Sequence, residues 1–155
     1  MLLWQLRLTA LETDPAAFLE KAEQHRAIPL SHYQERLRTG APDHVVFGAF
    51  EGEDLVGMVG FGRDYDEPAR RGRIWGMFVL PEYRGKGVGR SLLSAALDYA
   101  TRLAGLETVQ LAVARSQHAA RSLYLSQGFE NSGADGSECA TMTFNLRGRA
   151  RNFQA

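Results

Sequence analysis

Hydrophobic and polar residues change their spacing several times in the N-terminal part of the chain. From Leu3 to Thr9 they alternate, which is the period of a strand with one buried face. The alternation ends before Asp14, which is suited to cap a helix whose first residue is Pro15. Ser31 is placed to cap a second, short helix that ends near Gly40. This part therefore predicts one strand followed by two helices.

The central part of the chain predicts a hairpin, a buried strand and a helix. Val45 to Phe50 and Leu55 to Phe61 are rich in β-forming residues, and they flank turn residues at 52–54. Residues 73–80 are almost continuously apolar, which is typical of a strand that is buried on both faces. From Val88 to Leu103 the apolar residues recur at helical spacing, so we expect an amphipathic helix there.

The C-terminal part predicts a strand, a helix and two more strands. A strand is expected at 108–113, and Ser116 and Gly128 are placed to cap the two ends of the helix that follows. The last strands are expected near Phe129 and from Cys139 to Leu146. The whole order gives about seven strands and about four helices. Because it combines hairpins with a strand–helix–strand crossover, it predicts an α+β fold with a sheet of mixed direction.

The composition is that of a globular domain. The chain has 155 residues, of which 45% are hydrophobic, and this is enough for a substantial core. Lys and Arg number 18, as do Asp and Glu, and this balance argues against nucleic acid as a partner. The single cysteine, Cys139, is expected in the core and fits a reducing compartment. No stretch approaches the length of a membrane span. We expect one cytoplasmic domain over 1–155, with no membrane partner and a polar tail at 147–155.

The sequence PEYRGKGVGRSL, at 81–92, places glycines and basic residues between the predicted buried strand and its helix. Glycines allow backbone conformations that other residues resist, and the first turn of a helix presents unpaired N–H groups at the positive end of its dipole. Together with Arg84, Lys86 and Arg90, these features predict a cradle for a phosphate-bearing ligand. The spacing matches neither a P-loop, which needs Gly-Lys followed by Ser or Thr, nor the three small residues of the dinucleotide fingerprint.

The spacing that remains, [QR]-x-x-G-x-[GA], is matched by Arg84, Gly87 and Gly89. With its flanking residues, GMFVLPEYRGKGVGRSLL resembles the cofactor motif of the GNAT superfamily of acyl-CoA-dependent N-acetyltransferases. A second segment, ARSLYLSQGFE, is similar to that superfamily's A-x-x-LY-x-x-x-GF element, and the two segments have the usual separation. The resemblance implies a GNAT-like fold with a mixed, mostly antiparallel central sheet flanked by helices.

The resemblance also implies the chemistry of the site and its residues. Acetyl-CoA is the expected cosubstrate, and the expected partner is an amine-bearing acceptor, either a small molecule or a peptide or protein amine. The coenzyme A pyrophosphate is expected on the backbone N–H groups of Arg84, Gly85, Lys86, Gly87, Val88, Gly89 and Arg90. Other cofactor contacts are expected from Met77, Phe78 and Val79 along the pantetheine arm, and from Gln117 and Ala120. Tyr124 matches the usual general acid, which protonates the leaving thiolate, and no metal site is expected.

The sequence does not identify a general base. Some members of the superfamily use a Glu near the start of the strand before the loop, but RRGRIWGM has no carboxylate. We expect Glu82 on a surface turn and His118 in solvent, and the sequence shows no partner for His25, His32 or His44. An amine with a pKa of about 10.4 needs about 4.6 kcal/mol to present its neutral form at pH 7. Another base, or an acceptor of lower pKa, is therefore implied.

Acceptor specificity is expected in segments 14–40 and 63–73, where His32 and Tyr33 either line the acceptor cleft or pack their helix down. The acidic residues of the second segment are expected on the solvated surface: Asp64, Asp66 and Glu67. Two other functions stay open, a catalytically silent acyl-CoA-binding module that reports cofactor level and a site for another phosphorylated ligand such as a nucleotide. A homodimer is a further open alternative.

Overall fold

The chain was analysed as a computed structural model, in which the structure describes residues 2–40, 43–64, 70–133 and 138–147. The helices are α1 Leu2–Thr13, α2 Ala22–Ala27, α3 Leu30–Arg38, α4 Val88–Arg102 and α5 His118–Ser126, with short 3-10 turns at Pro15–Ala17 and Pro81–Tyr83. The strands are β1 Val45–Glu51, β2 Asp54–Asp64, β3 Arg71–Val79, β4 Thr108–Ala114, β5 Glu130–Asn131 and β6 Cys139–Asn145.

The strands form one sheet in the order β1-β2-β3-β4-β6-β5. Neighbouring strands are antiparallel except β3 and β4, which are parallel because α4 makes the crossover between them. Within the described ranges the sheet has six strands and the fold has five α-helices, compared with the expected seven and four. The predicted α+β class with a mixed, mostly antiparallel sheet is confirmed.

The predicted first strand is wrong, because the segment from Leu3 to Thr9 lies inside α1. The leucine-rich segment satisfies a helical period as well as an alternating one, since Leu6 and Ala10 fall on the same side of a helix. Both residues are buried against Met58 and Phe78 on one face of the sheet. A tertiary contact that the sequence does not reveal therefore decides between the two periods.

Three helix boundaries also differ from the prediction. The helix expected from Pro15 is only a 3-10 turn, because Phe18 is extended (φ −131°, ψ 146°) and ends it. α2 then begins separately at Ala22. α3 begins directly after Pro29 rather than after Ser31, and the residue before α5 is Gln117 rather than Ser116. The N-terminal segment thus contains more and shorter helical elements than its polar and apolar pattern predicts.

The predictions from β1 to β4 are confirmed within a few residues. The hairpin, β3, α4 and β4 all form where the pattern placed them. The buried side of α4 packs on the face of the sheet opposite α1, against a cluster that includes Val59, Phe61, Val109 and Leu111. Because α1 and α4 cover opposite faces, β3 lies in the middle of the fold. No helix in the described ranges is long and apolar enough to span a bilayer.

Candidate active site

A cleft of about 620 Å³ opens where β3 and β4 separate. The two strands pair only from Arg71 with Thr108 to Arg73 with Gln110. Past Arg73 the edge of β3 that faces β4 has no strand partner among the described residues, so its backbone polar groups border the cleft. The cleft is lined by Asp14, Ala17, Phe18, Ile74, Trp75, Gly76, Met77, Phe78, Val79, Arg84, Gly85, Gly87, Gly89, Arg90, Leu111, Ala112, Val113, Ala114, Gln117, Ala119, Ala120, Leu123 and Tyr124.

A β-bulge in β3 lies beside the opening. Met58 pairs with Phe78 and Gly60 pairs with Trp75, so Gly76 and Met77 together oppose one residue of β2. Gly76 has a φ of +63°, which residues with a β-carbon rarely adopt. A bulge increases strand twist and bends the strand locally, so this one turns β3 away from β4 where the cleft begins.

The loop before α4 forms one end of the cleft. Gly85 and Gly87 have φ values of +73° and +85°, and a β-carbon at either position would meet no atom within 4 Å. The first backbone bond of α4 runs from Ser91 N–H to the Gly87 carbonyl. The N–H groups of the three residues between them therefore have no partner inside the helix, and they carry the positive end of its dipole. This end of the cleft is suited to an anion such as a diphosphate.

The side chain of Arg84 is 44% exposed but is held in place by three contacts. Its Nε donates to the Val79 carbonyl at 2.8 Å and its Nη2 donates to Asp14 Oδ2 at 2.5 Å, while the guanidinium carbon lies 5.4 Å from the centre of the Phe78 ring. The backbone N–H of Arg84 also has a partner, the Pro81 carbonyl. Arg84 therefore braces the loop against β3 and the N-terminal segment. Asp14, predicted as a helix cap, makes no capping bond with its side chain.

Tyr124 of α5 lies on the wall of the cleft. It is 5% exposed and its ring packs 5.9 Å from that of Phe129, centre to centre. Loss of solvent around the phenol raises the pKa of Tyr124 to about 12. The hydroxyl therefore keeps its proton throughout the neutral range and is available as a hydrogen-bond donor.

The structure brings together most of the residues that the sequence singled out. All of the predicted cofactor residues line the cleft except two: Lys86 and Val88. The Lys86 ammonium lies 5.3 Å from the centre of the Tyr83 ring, and Val88 packs against the core.

Two aromatic residues of the cleft, Phe18 and Trp75, were not predicted as site residues. Trp75 was expected to be buried in its strand, yet it is 43% exposed. Phe18 falls within the helix expected from Pro15, but it follows the 3-10 turn and lines the cleft. Both residues have apolar or small neighbours in the sequence, so no local signal distinguished a place in the cleft from one in the core.

The structure also shows the exposure of several other residues that the sequence analysis discussed. Glu82 and His118 are exposed as predicted, whereas Cys139 is exposed rather than buried in the core. His25, for which the sequence identified no partner, is fully buried. Its ring nitrogens lie near Glu20 and the Trp4 carbonyl, and Tyr33 packs edge-on against its ring at 5.4 Å.

Other polar candidates lie away from the cleft. His32 is exposed, and the ring of His44 lies 3.4 Å from the Arg63 carbonyl. Asp64 was expected on the solvated surface, but its side chain is only 9% exposed. It accepts hydrogen bonds from Arg71 and Arg73, and these bonds lower its pKa. Other expected surface residues and most of the predicted tail lie outside the described residues: Asp66, Glu67 and 148–155.

Comparison with known proteins identifies the family. Residues 7–129 match the family model described as the acetyltransferase (GNAT) family. An uncharacterized N-acetyltransferase of Archaeoglobus fulgidus is 34% identical over 125 residues, which cover 77% of this chain and 84% of the relative. A spermine/spermidine N(1)-acetyltransferase of Bacillus subtilis is 34% identical over 88 residues, which cover 54% of this chain and 57% of the relative.

Solved structures have the same fold. YncA from Salmonella typhimurium, described as a structure with its cofactor acetyl-CoA, aligns with a TM-score of 0.70 at 24% identity, covering 92% of this chain and 86% of that one. The open β3 edge, the unpaired N–H groups in the first turn of α4 and the cleft between them fit a cosubstrate with a diphosphate and an amide-bearing arm. This chain belongs to the GNAT family and is an acetyl-CoA-dependent N-acetyltransferase.

Proposed function

We propose that the protein transfers the acetyl group of acetyl-CoA to a primary amine by direct attack, with Tyr124 as the general acid. The observation that carries this proposal is the position of a buried, protonated phenol on the wall of a cleft that begins at an anion-binding loop. Acetyl-CoA supplies the acetyl group as a thioester. The relative named for spermine and spermidine supports an amine as the acceptor.

The loop and β3 have separate tasks in binding. The N–H groups of Val88, Gly89 and Arg90 hold the diphosphate, supported by the backbone of Gly85 and the rest of the loop. The open edge of β3, over Met77 to Val79, pairs with the amides of the pantetheine arm. The Val79 carbonyl already accepts a bond from Arg84, so the free groups before it carry this pairing. Gln117 and Ala120 line the wall that faces β3 across the cleft.

Tyr124 completes the proton balance. The amine nitrogen forms a bond to the carbonyl carbon, and the bond between that carbon and sulfur breaks. Tyr124 donates its proton to the leaving sulfur, and the proton that the attacking nitrogen loses restores the phenol. Tyr124 thus prevents the sulfur from leaving as an unprotonated anion, and it is neutral again at the end of the turnover.

The cleft offers no evident general base. Asp14 is the only carboxylate, and no imidazole is present, among the described residues that line it. The Asp14 carboxylate is bound to Arg84 at the loop end. The acceptor must therefore lose its proton to solvent or arrive with a lowered pKa.

The test is turnover of acetyl-CoA, followed by release of free thiol, across a panel of primary amines, together with calorimetry of coenzyme A, ATP and NAD. We expect amine-dependent thiol release and tighter binding of coenzyme A than of the two nucleotides. Tight coenzyme A binding without turnover of any amine would favour a cofactor-sensing role.

We also propose that the protein acts in the cytoplasm, since its single, exposed cysteine fits a reducing compartment.

A further inference from the structure

A buried arginine behind the cleft has an unused hydrogen-bond donor. Arg7 of α1 has a side chain that is 15% exposed. Its Nε and Nη2 both donate to Glu20 Oε2, at 3.2 and 3.0 Å. Its Nη1 is shielded from water and has no acceptor among the described residues. An unpaired donor on a largely buried charged group is costly, and the described residues leave Nη1 without an acceptor.

The unpaired nitrogen lies directly behind the wall of the cleft. A β-carbon on Gly76, the bulge residue, would lie 3.3 Å from Arg7 Nη1. The guanidinium carbon is 4.6 Å from the centre of the Phe18 ring. Gly76 and Phe18 both line the cleft, so Phe18 covers the guanidinium on the side from which a ligand would approach. For Nη1 to reach a ligand in the cleft, the Phe18 side chain would have to rotate aside.

A second layer of contacts holds Arg7 in place. Glu20, which binds the guanidinium, also faces His25, with 3.4 Å between Glu20 Oε1 and His25 Nδ1. His25 is fully buried and its Nε2 lies 3.1 Å from the Trp4 carbonyl. Because Glu20 is fixed from both sides, Arg7 keeps its other two nitrogens engaged and Nη1 directed at the bulge. Such support is typical of a binding group that is preorganised for its ligand.

The charges around the cleft indicate what this ligand carries. Asp14, the only carboxylate among the described lining residues, is paired with Arg84. The described lining thus offers no unpaired carboxylate for a second ammonium group, such as a polyamine would bring. A guanidinium with a free N–H binds a carboxylate most strongly, through a charge-assisted bond.

Building on the proposed acetyl transfer, we propose that Arg7 binds the carboxylate of an α-amino acid acceptor through Nη1, and that Phe18 turns aside to admit it. Phe18 and the half-exposed Trp75 then contact an apolar side chain of the acceptor. The structure thus assigns Arg7 as a specificity-determining residue of the acceptor site.

Wild-type selectivity tests the proposal without any variant. Phenylalanine and phenethylamine differ only in the carboxylate, and we expect kcat/KM to be about tenfold or more higher for phenylalanine, which corresponds to about 1.4 kcal/mol. Spermidine and phenylalanine amide are the other two acceptors to be compared, and both should be poorer acceptors than phenylalanine. A preference for phenethylamine or spermidine would overturn the proposal while leaving amine acetylation intact. A preference for the amide, or for a peptide, would replace the amino acid by a peptide amino terminus and overturn it too.

The variant Arg7→Gln tests the residue itself. We expect kcat/KM to fall about tenfold or more further for phenylalanine than for phenethylamine, mainly through a higher KM for phenylalanine, with the KM for acetyl-CoA nearly unchanged. Arg26→Gln is the matched control, because Arg26 lies in the same N-terminal segment and pairs on the surface with Glu12. An equal loss with both acceptors would contradict the proposal, since it indicates a structural role or a contact with the thioester. If no amine is acetylated by the wild type, the proposed function fails, and this inference fails with it.

Discussion

The carboxylate of Asp14 accepts a hydrogen bond from Arg84 Nη2 at 2.5 Å, and the two residues are separated by 70 positions in the chain. This ion pair ties the segment after α1 to the loop before α4. It also places a negative charge beside the part of the cleft that is suited to a diphosphate. The pair is partly exposed, so its direct contribution to stability is small, at most about 1 kcal/mol.

Removing the charge of Asp14 should therefore strengthen coenzyme A binding. In Asp14→Asn the Arg84 guanidinium becomes available to a phosphate, and one repulsive charge is lost. We expect the Kd for coenzyme A to fall by about two- to tenfold, measured by calorimetry at low salt. The control is Asp54→Asn, which removes an exposed carboxylate at the β1–β2 turn and should leave the Kd unchanged. Weaker binding in Asp14→Asn would mean that the ion pair holds Arg84 for the ligand instead.

The glycine at the start of α4 can be tested against a matched glycine elsewhere. Gly87 and Gly52 both have positive φ values, +85° and +60°, and a β-carbon at either would meet no atom within 4 Å. Replacement of either glycine by alanine should lower the free energy of unfolding by about 1 to 2 kcal/mol, because a β-carbon strains a backbone with positive φ. Only Gly87→Ala places a methyl group in the cleft, so only this variant should weaken coenzyme A binding, by about tenfold or more.

Equal coenzyme A affinity in Gly87→Ala and Gly52→Ala would contradict this assignment of the loop. The two variants would then differ from the wild type only in stability, and the glycine would serve the turn rather than the ligand. Urea denaturation of each variant measures its free energy of unfolding, and calorimetry measures its Kd for coenzyme A separately.

The sequence predicted the half of the fold that carries the cofactor site, for a local reason. From β1 to α5 the apolar period changes where the elements change, and glycines mark several of the turns. The loop and Tyr124 could be located because each belongs to a contiguous motif with a fixed spacing. Such signals need no knowledge of tertiary packing.

The acceptor side could not be predicted, because it depends on contacts between distant residues. The α1 segment has a pattern that suits a strand as well as a helix, and packing on Met58 and Phe78 decides between them. The contact of Arg7 with the bulge depends on that same packing. A buried donor without a partner is a property of three-dimensional arrangement and has no sequence pattern.

The hydroxyl of Tyr124 should be needed for turnover but not for binding. Tyr124→Phe keeps the ring packed on Phe129, so its stability near neutral pH and its Kd for acetyl-CoA should stay close to those of the wild type. Loss of a general acid should lower kcat by about 10² to 10⁴. Tyr99→Phe is the control, since Tyr99 packs against Phe47 and Phe61 away from the cleft. A Tyr124→Phe enzyme with near wild-type kcat would remove Tyr124 from the mechanism.

The raised pKa of Tyr124 should also appear in the stability of the protein at alkaline pH. In the folded protein the pKa is about 12, whereas the ordinary pKa of a tyrosine side chain is 10.0, so the unfolded chain releases this proton first as pH rises. The stabilisation is complete below pH 10 and is lost between pH 10 and 12, by about 2 kcal/mol at pH 12. The variant Tyr124→Phe has no phenolic proton at this position, so its stability lacks this dependence on pH. The wild type should therefore lose stability relative to the variant above pH 10, measured by urea denaturation at each pH, while their difference stays constant between pH 7 and 9. A constant difference up to pH 12 would show that the phenol is not buried as described.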